Sequence, residues 1–250
     1  MKCKLCLTND AVSTKSHYIS KFLRDDLFEN GQSMLINKDF TRRKINDIPK
    51  DSFIFCTNCE QKFSLVETVS SKILENIDKK SNYNNLYQIK FENGNHLVIL
   101  NRHQTIFNLF IISLFWRASI SKDKLFEKFH FPDDFENHLR QLLSQHLKSS
   151  KSEYDIEVDF NIGFKYIFIK PEVRNSYSRG HMSACSVSKS LHMLFLVNFY
   201  ICAYLNNENQ NQFIDQYCNS NLYNCTLALS DVPRWKALNK ITLDKIFNRA

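Results

Sequence analysis

Cys3-Lys4-Leu5-Cys6 and, further along, Cys56-Thr57-Asn58-Cys59 are two C-x-x-C pairs in one chain. A C-x-x-C closes a tight turn whose two sulfurs and adjacent backbone N–H groups face one point. Two such pairs can therefore supply the four thiolates of a closed tetrahedral site, with each sulfur about 2.3 Å from Zn²⁺. A redox C-x-x-C normally occurs once and sits beside a βαβ pattern. Cys3, Cys6, Cys56 and Cys59 are thus the expected ligands of a structural zinc.

A helix is predicted immediately after the second pair, over residues 60–78. Phe63, Val66, Ser70, Ile73, Leu74 and Ile77 recur there at 3.6-residue spacing. Glu60 and Glu67, seven apart, lie on one face at the edge of the apolar stripe, from which they could point into the module. A carboxylate in that position is costly unless paired or bound to metal, and the alternative is a solvated helix surface. Between the pairs lie Ser16-His17-Tyr18-Ile19 and a polar, basic stretch over residues 31–50, with Arg42, Arg43, Lys44 and Lys50 beside Phe40. That stretch reads either as a phosphate-contacting insert or as a solvated loop.

The arrangement Cys3-x-x-Cys6, Ser16-His17-Tyr18-Ile19, Phe55-Cys56-x-x-Cys59-Glu60 resembles the zinc-bearing HNH-type treble clef, over about residues 1–75. In those nucleases a cysteine pair, an Asp-His at a strand end and a second cysteine pair opening a helix frame a ββα-metal active site. The resemblance implies His17 as general base and the four cysteines as structural zinc ligands. It also implies a catalytic Mg²⁺ or Mn²⁺ held by Glu60 with help from Glu67 or Asp51. Ser16 replaces the family's metal-binding Asp, Asp51 stands near its middle Asn, Glu60 replaces its final His or Asn, and Phe63 stands at the next position down the helix.

The chain has 250 residues, enough to bury a real core, and its 43% hydrophobic content with 21 Phe but only four Gly and four Pro is that of an ordered globular protein. A net charge of +7 favours a polyanionic partner such as nucleic acid. Eight cysteines are compatible with a disulfide protein, but Met1-Lys2-Cys3-Lys4 lacks an apolar signal region. The reducing cytoplasm is therefore the expected compartment. The most apolar run, 106–116, is too short for a membrane span and reads as a buried helix.

The expected fold class is α+β. Residues 1–80 form the zinc-bearing, HNH-like module, and residues 86–250 form a mixed helix and antiparallel-strand domain for substrate or partner recognition. Tyr87, Ile89 and Phe91 alternate with polar residues before Asn93-Gly94, a type I′ hairpin signal, and 97–100 forms the return strand. Residues 104–119 are apolar nearly all round and predict a central helix. Asp133-x-x-Glu136 predicts a capping box, followed by a helix carrying Phe135, Leu139, Leu142, Leu143 and Leu147. Residues 154–170 predict a second hairpin turning at Asn161-Ile162-Gly163, with Asp155, Glu157 and Asp159 on one face, which reads as solvated in preference to a divalent-metal site because no converging His or second carboxylate group accompanies it. Residues 191–205 predict one or two buried strands or a buried helix. Cys185, Cys202, Cys218 and Cys225 read as core thiols, and His181 as a structural or solvated histidine.

Two functions follow. The first is a metal-dependent endonuclease acting on nucleic acid, DNA first, in the bacterial-defence or mobile-element setting that the family resemblance implies. The second is a zinc-finger module that docks nucleic acid or protein without catalysis. A protein partner or a homo-oligomer is compatible with either, and no membrane association is expected.

Overall fold

The computed structural model describes residues 1–13, 16–24, 32–36, 42–46, 50–92, 94–154, 161–172, 181–205, 217–222 and 224–246. The chain is mixed α+β. The first part is laced by short pairings: Cys3 N–H donates to Asn9 O (2.9 Å), Lys4 N–H to Ile54 O (2.9 Å) and Val12 N–H to Phe55 O (3.0 Å). Strand β1 (Ser16–His17) pairs antiparallel with β4 (Lys50–Asp51), and the hairpin of β2 (Ser33–Ile36) and β3 (Arg42–Ile45) lies between them in sequence. A one-turn helix α1 (Lys21–Arg24) follows β1, and Leu27 and Phe28, expected to continue it, lie outside the described residues, as does Phe40.

Helix α2 (Thr57–Asp78) buries Cys59, Phe63, Val66, Ser70, Ile73, Leu74 and Ile77, the stripe its 3.6-residue spacing predicts. Beyond it, β5 (Tyr87–Glu92) and β6 (Asn95–Leu100) form the expected hairpin, with Gly94 at φ +77° in its turn. Helix α3 (Gln104–Ser119) is buried continuously from Ile106 to Ser119. Its Trp116 ring packs 5.8 Å from Phe55 and 6.4 Å from Phe63, while Phe107 meets Phe168 and Phe115 meets Phe164. The helix therefore has knuckle and α2 on one side and sheet on the other. Asn108, buried in its middle, donates to Leu222 O (2.9 Å) and Asn224 O (3.1 Å) and accepts from the Tyr166 hydroxyl, so its burial leaves no orphaned amide.

Helix α4 (Asp133–His146) packs on α3 through Leu139, Leu142 and Leu143. The expected capping box is not formed. Pro132 is the N-cap, and Glu136 instead accepts from the Ser119 hydroxyl (2.5 Å), because tertiary packing offers that carboxylate a buried donor. Strands β7 (Asn161–Pro171), β8 (Met182–Ser186), β9 (Leu191–Leu196), β10 (Phe199–Tyr204), β11 (Asn219–Asn221) and β12 (Thr226–Ser230) complete an eight-stranded sheet. Its order is β5-β6-β12-β7-β10-β9-β8, with β11 pairing β7. The pairings are antiparallel except β7–β12, so the strand domain is not wholly antiparallel. The turn expected at 161–163 lies inside β7, and the acidic positions 155, 157 and 159 lie outside the described residues.

Residues 191–205 are two strands buried on both faces. Leu194, Leu196, Ile201 and Ala203 join the cluster around α3, and Met193, Phe195, Tyr200 and Cys202 join Trp235 of α5 (Val232–Ile246) on the opposite face. Two covered faces explain an apolar run without polar alternation. One apolar cluster extends from Cys3 through α2 and α3 to Leu227, crossing the connection at 80–86 where a domain boundary was expected. Among the described residues, no helix is long and apolar enough to cross a membrane.

Candidate metal centre and the strand beside it

The four knuckle cysteines converge. The sulfurs of Cys3, Cys6, Cys56 and Cys59 all lie within 4.8 Å of one another, and Cys6 and Cys56 are 3.9 Å apart. Ligands 2.3 Å from a tetrahedral zinc stand about 3.8 Å apart, so the cluster could bind zinc with small side-chain shifts. Cys56 is the N-cap of α2 and Cys59 sits in its first turn, so helix formation sets the spacing of that pair. Burial, aided by the neighbouring thiols, holds Cys59 far above the ordinary thiol range. The Cys6 thiol is also raised by burial, but hydrogen bonds from Thr8, Asn9 and Cys3 outweigh this and bring it to about 6. Thiols this close cannot all ionise without a cation between them, which is the electrostatic case for a metal at this point.

Beside the cluster, the β1–β4 ladder sets Ser16 opposite Asp51 and His17 opposite Lys50. The Ser16 hydroxyl donates to Glu60 Oε1, joining β1 to the first turn of α2. Tyr18 donates its hydroxyl to Asp51 Oδ2 (2.5 Å), and burial together with that carboxylate pushes the phenol up. His17 is half-buried, with Nε2 shielded from solvent, and its carbonyl accepts from Arg117 Nη1 (3.2 Å). Arg117 is itself buried. It pairs with Glu67 Oε1 (2.7 Å), its Nε donates to Ser113 O (3.3 Å), and its guanidinium carbon lies 5.2 Å from the centre of the Phe63 ring.

Of the residues singled out in the sequence, Ser16, His17, Lys50, Asp51, Glu60 and Glu67 fall in this one connected patch. Lys44 is exposed on β3, while the Arg42 and Arg43 side chains lie outside the described residues. Among the described residues, the four cysteines are the one group of three or more His, Cys, Asp or Glu close enough to share an ion. No motif in the sequence assigns a role to Arg117 or Tyr18. A signal for Arg117 was present: it is the sole charge on an otherwise apolar helix, which calls for a buried counter-charge. A cleft of about 530 Å³ also opens between the knuckle and α3–α4, lined among others by Lys4, Trp116, His130, Glu136 and Arg140. The chain matches no protein-family model, and no curated protein or solved structure is similar to it.

Proposed function

We propose that residues 1–80 are a zinc-bearing, HNH-like treble clef and that the chain is a metal-dependent endonuclease, with residues 86–250 recognising substrate or partner. The observation that carries this reading is the Ser16–Glu60 hydrogen bond beside His17. Residues forty-four apart in sequence meet at the two positions where the resembling nucleases share a divalent ion. The oxygens of Glu60 and Ser16 suit a hard cation, whereas Glu67 and Asp51 would have to exchange Arg117 and Tyr18 for it. Glu60 with Ser16 would hold Mg²⁺ or Mn²⁺, which supplies neutralisation of charge on the phosphate oxygens. His17 would accept a proton from the water whose oxygen attacks phosphorus as the bond to the leaving oxygen breaks. Lys50, opposite His17, and the β3 residues Arg42, Arg43 and Lys44 would contact phosphates.

A second reading, a zinc module that docks nucleic acid without cleaving it, draws on the protein partners already held by Glu60, Glu67 and Asp51. Plasmid and single-strand cleavage across a metal series separates the two. His17→Ala should lower cleavage roughly a hundredfold or more with zinc content unchanged. Glu60→Gln should raise the Mg²⁺ or Mn²⁺ concentration required. Cleavage absent from the wild type with every metal moves the assignment to docking. In that case neutralising Arg42, Arg43 and Lys44 should still reduce the log-affinity versus log-salt slope by up to about 3.

A further inference from the structure

The eight-stranded sheet ends on β5 at one side and β8 at the other. The β8 edge is tied down, since Ser186 N–H donates to Lys128 O (2.7 Å) and the Ser186 hydroxyl bonds His130. Among the described residues, no strand pairs with the outer edge of β5 beyond Tyr87. Leu86 O accepts from Asn101 N–H on the inner side, whereas Tyr87 O accepts from Asn84 N–H on the outer side. Even-numbered residues therefore direct their backbone groups to β6, and Ile89 and Phe91 direct theirs outward. Among the described residues nothing bonds those outward groups. Phe91 is 70% exposed, and Lys90 and Glu92 flank it, both exposed. Next to the turn, Arg234 donates to Gly94 O and Asn95 Oδ1, and the Asn95 side-chain amide donates to the Tyr217 hydroxyl.

We propose that this edge pairs with the β5 edge of a second copy of the chain, antiparallel about a twofold axis at Phe91. Backbone parity allows a self-pairing register centred on any residue, and the registers that keep their axis on the open stretch from Ile89 to Phe91 are centred on residue 89, 90 or 91. Centring on Lys90 sets Lys90 against Lys90. Centring on Ile89 requires Tyr87 O, which Asn84 already occupies. Centring on Phe91 sets Phe91 against Phe91 in a hydrogen-bonded pair and Lys90 against Glu92 on both sides of the axis. Opposite charges directly across strands attract and like charges repel, so charge selects this register. The two Phe91 rings would lie on the sheet face where each already packs 5.1 Å from His96. A surface of this kind does not depend on zinc or on cleavage.

Sedimentation equilibrium of the full chain should show a concentration-dependent dimer. Lys90→Glu should weaken it about tenfold, and Lys90→Glu combined with Glu92→Lys should restore it. Phe91→Cys should form a covalent dimer under diamide, because Cα atoms across a hydrogen-bonded antiparallel pair are about 5.5 Å apart, within disulfide reach. Ile89→Cys should not, since its own twin would lie about 13 Å along the strand. A chain monomeric up to millimolar concentration, a dimer indifferent to charge reversal, or equal cross-linking at positions 89 and 91 each overturns the proposal.

Discussion

Arg117 shows how a single residue joins parts of the chain remote in sequence. A guanidinium removed from water is tolerated when a carboxylate, carbonyls and an aromatic face replace the lost hydration, and Glu67, Ser113 O, His17 O and Phe63 do so here. His181 shows the opposite arrangement. Its ring stacks on Phe195 with centroids 4.5 Å apart and planes 9° apart, and burial lowers its pKa to about 4 against a weaker upward pull from Asn239. An unfolded histidine titrates near 6.5. Between those values the unfolded chain binds a proton that the folded chain refuses. Stability complete above about pH 6.5 is therefore lost as pH falls toward about 4, on the order of 3 kcal/mol in all. His181→Phe should flatten this part of the profile, as read from urea midpoints at pH 7 and pH 5. Equal losses in wild type and variant would place the acid sensitivity elsewhere, with His192 and His146, both lowered by burial, as the next groups to replace.

At the scale of elements, helix α2 begins without a side-chain cap, since Cys56 occupies the N-cap position and makes no capping hydrogen bond. A bound metal would take over that role by fixing Cys56 and Cys59 to Cys3 and Cys6. One zinc per chain is expected by elemental analysis. Cys59→Ser should release it and unravel the knuckle, the β1–β4 ladder and the first turn of α2, because the ligands converge only in the folded state. A metal-free protein with native amide-exchange protection in residues 1–20 would refute a structural zinc. Other elements show where local signals were outvoted. Gly163 keeps the positive φ of a turn residue, +76°, within a continuous strand, and the β9–β10 turn places Val197 at φ +60°. A β-branched residue there carries no turn signal in sequence. Its N–H bond to His181 O and its full burial hold it in place.

At the scale of the molecule, α3 is shared property. Phe55 and Phe63 of the amino-terminal part stack on Trp116, and the same helix packs its phenylalanines on β7 and on the segment preceding α4. Residues 1–80 produced alone would expose that aromatic face. Even when loaded with zinc, they should show weak amide-exchange protection in α2 and self-associate. Trp116→Ala in the full chain should cost about 3–5 kcal/mol, measured by denaturant unfolding. An isolated 1–80 fragment as well protected as in the full chain would establish the boundary at 80–86 as a true division.

Features whose periods and spacings are local were legible in the amino-acid sequence. These are the stripe of α2, the bounds of α3, the β5–β6 hairpin, and the four cysteines that meet in one cluster. The sequence also marked Ser16, His17, Asp51, Glu60 and Glu67 as one group, although only through resemblance. The partners of these side chains emerge only from the packing of distant elements: Ser16 on Glu60, Tyr18 on Asp51, Arg117 on Glu67 and, elsewhere, Ser119 on Glu136. That packing also decided the order of strands and the parallel β7–β12 pair. A periodicity records which face of an element is buried, but a hydrogen bond between residues tens of positions apart depends on how faces are docked, and no local pattern encodes that.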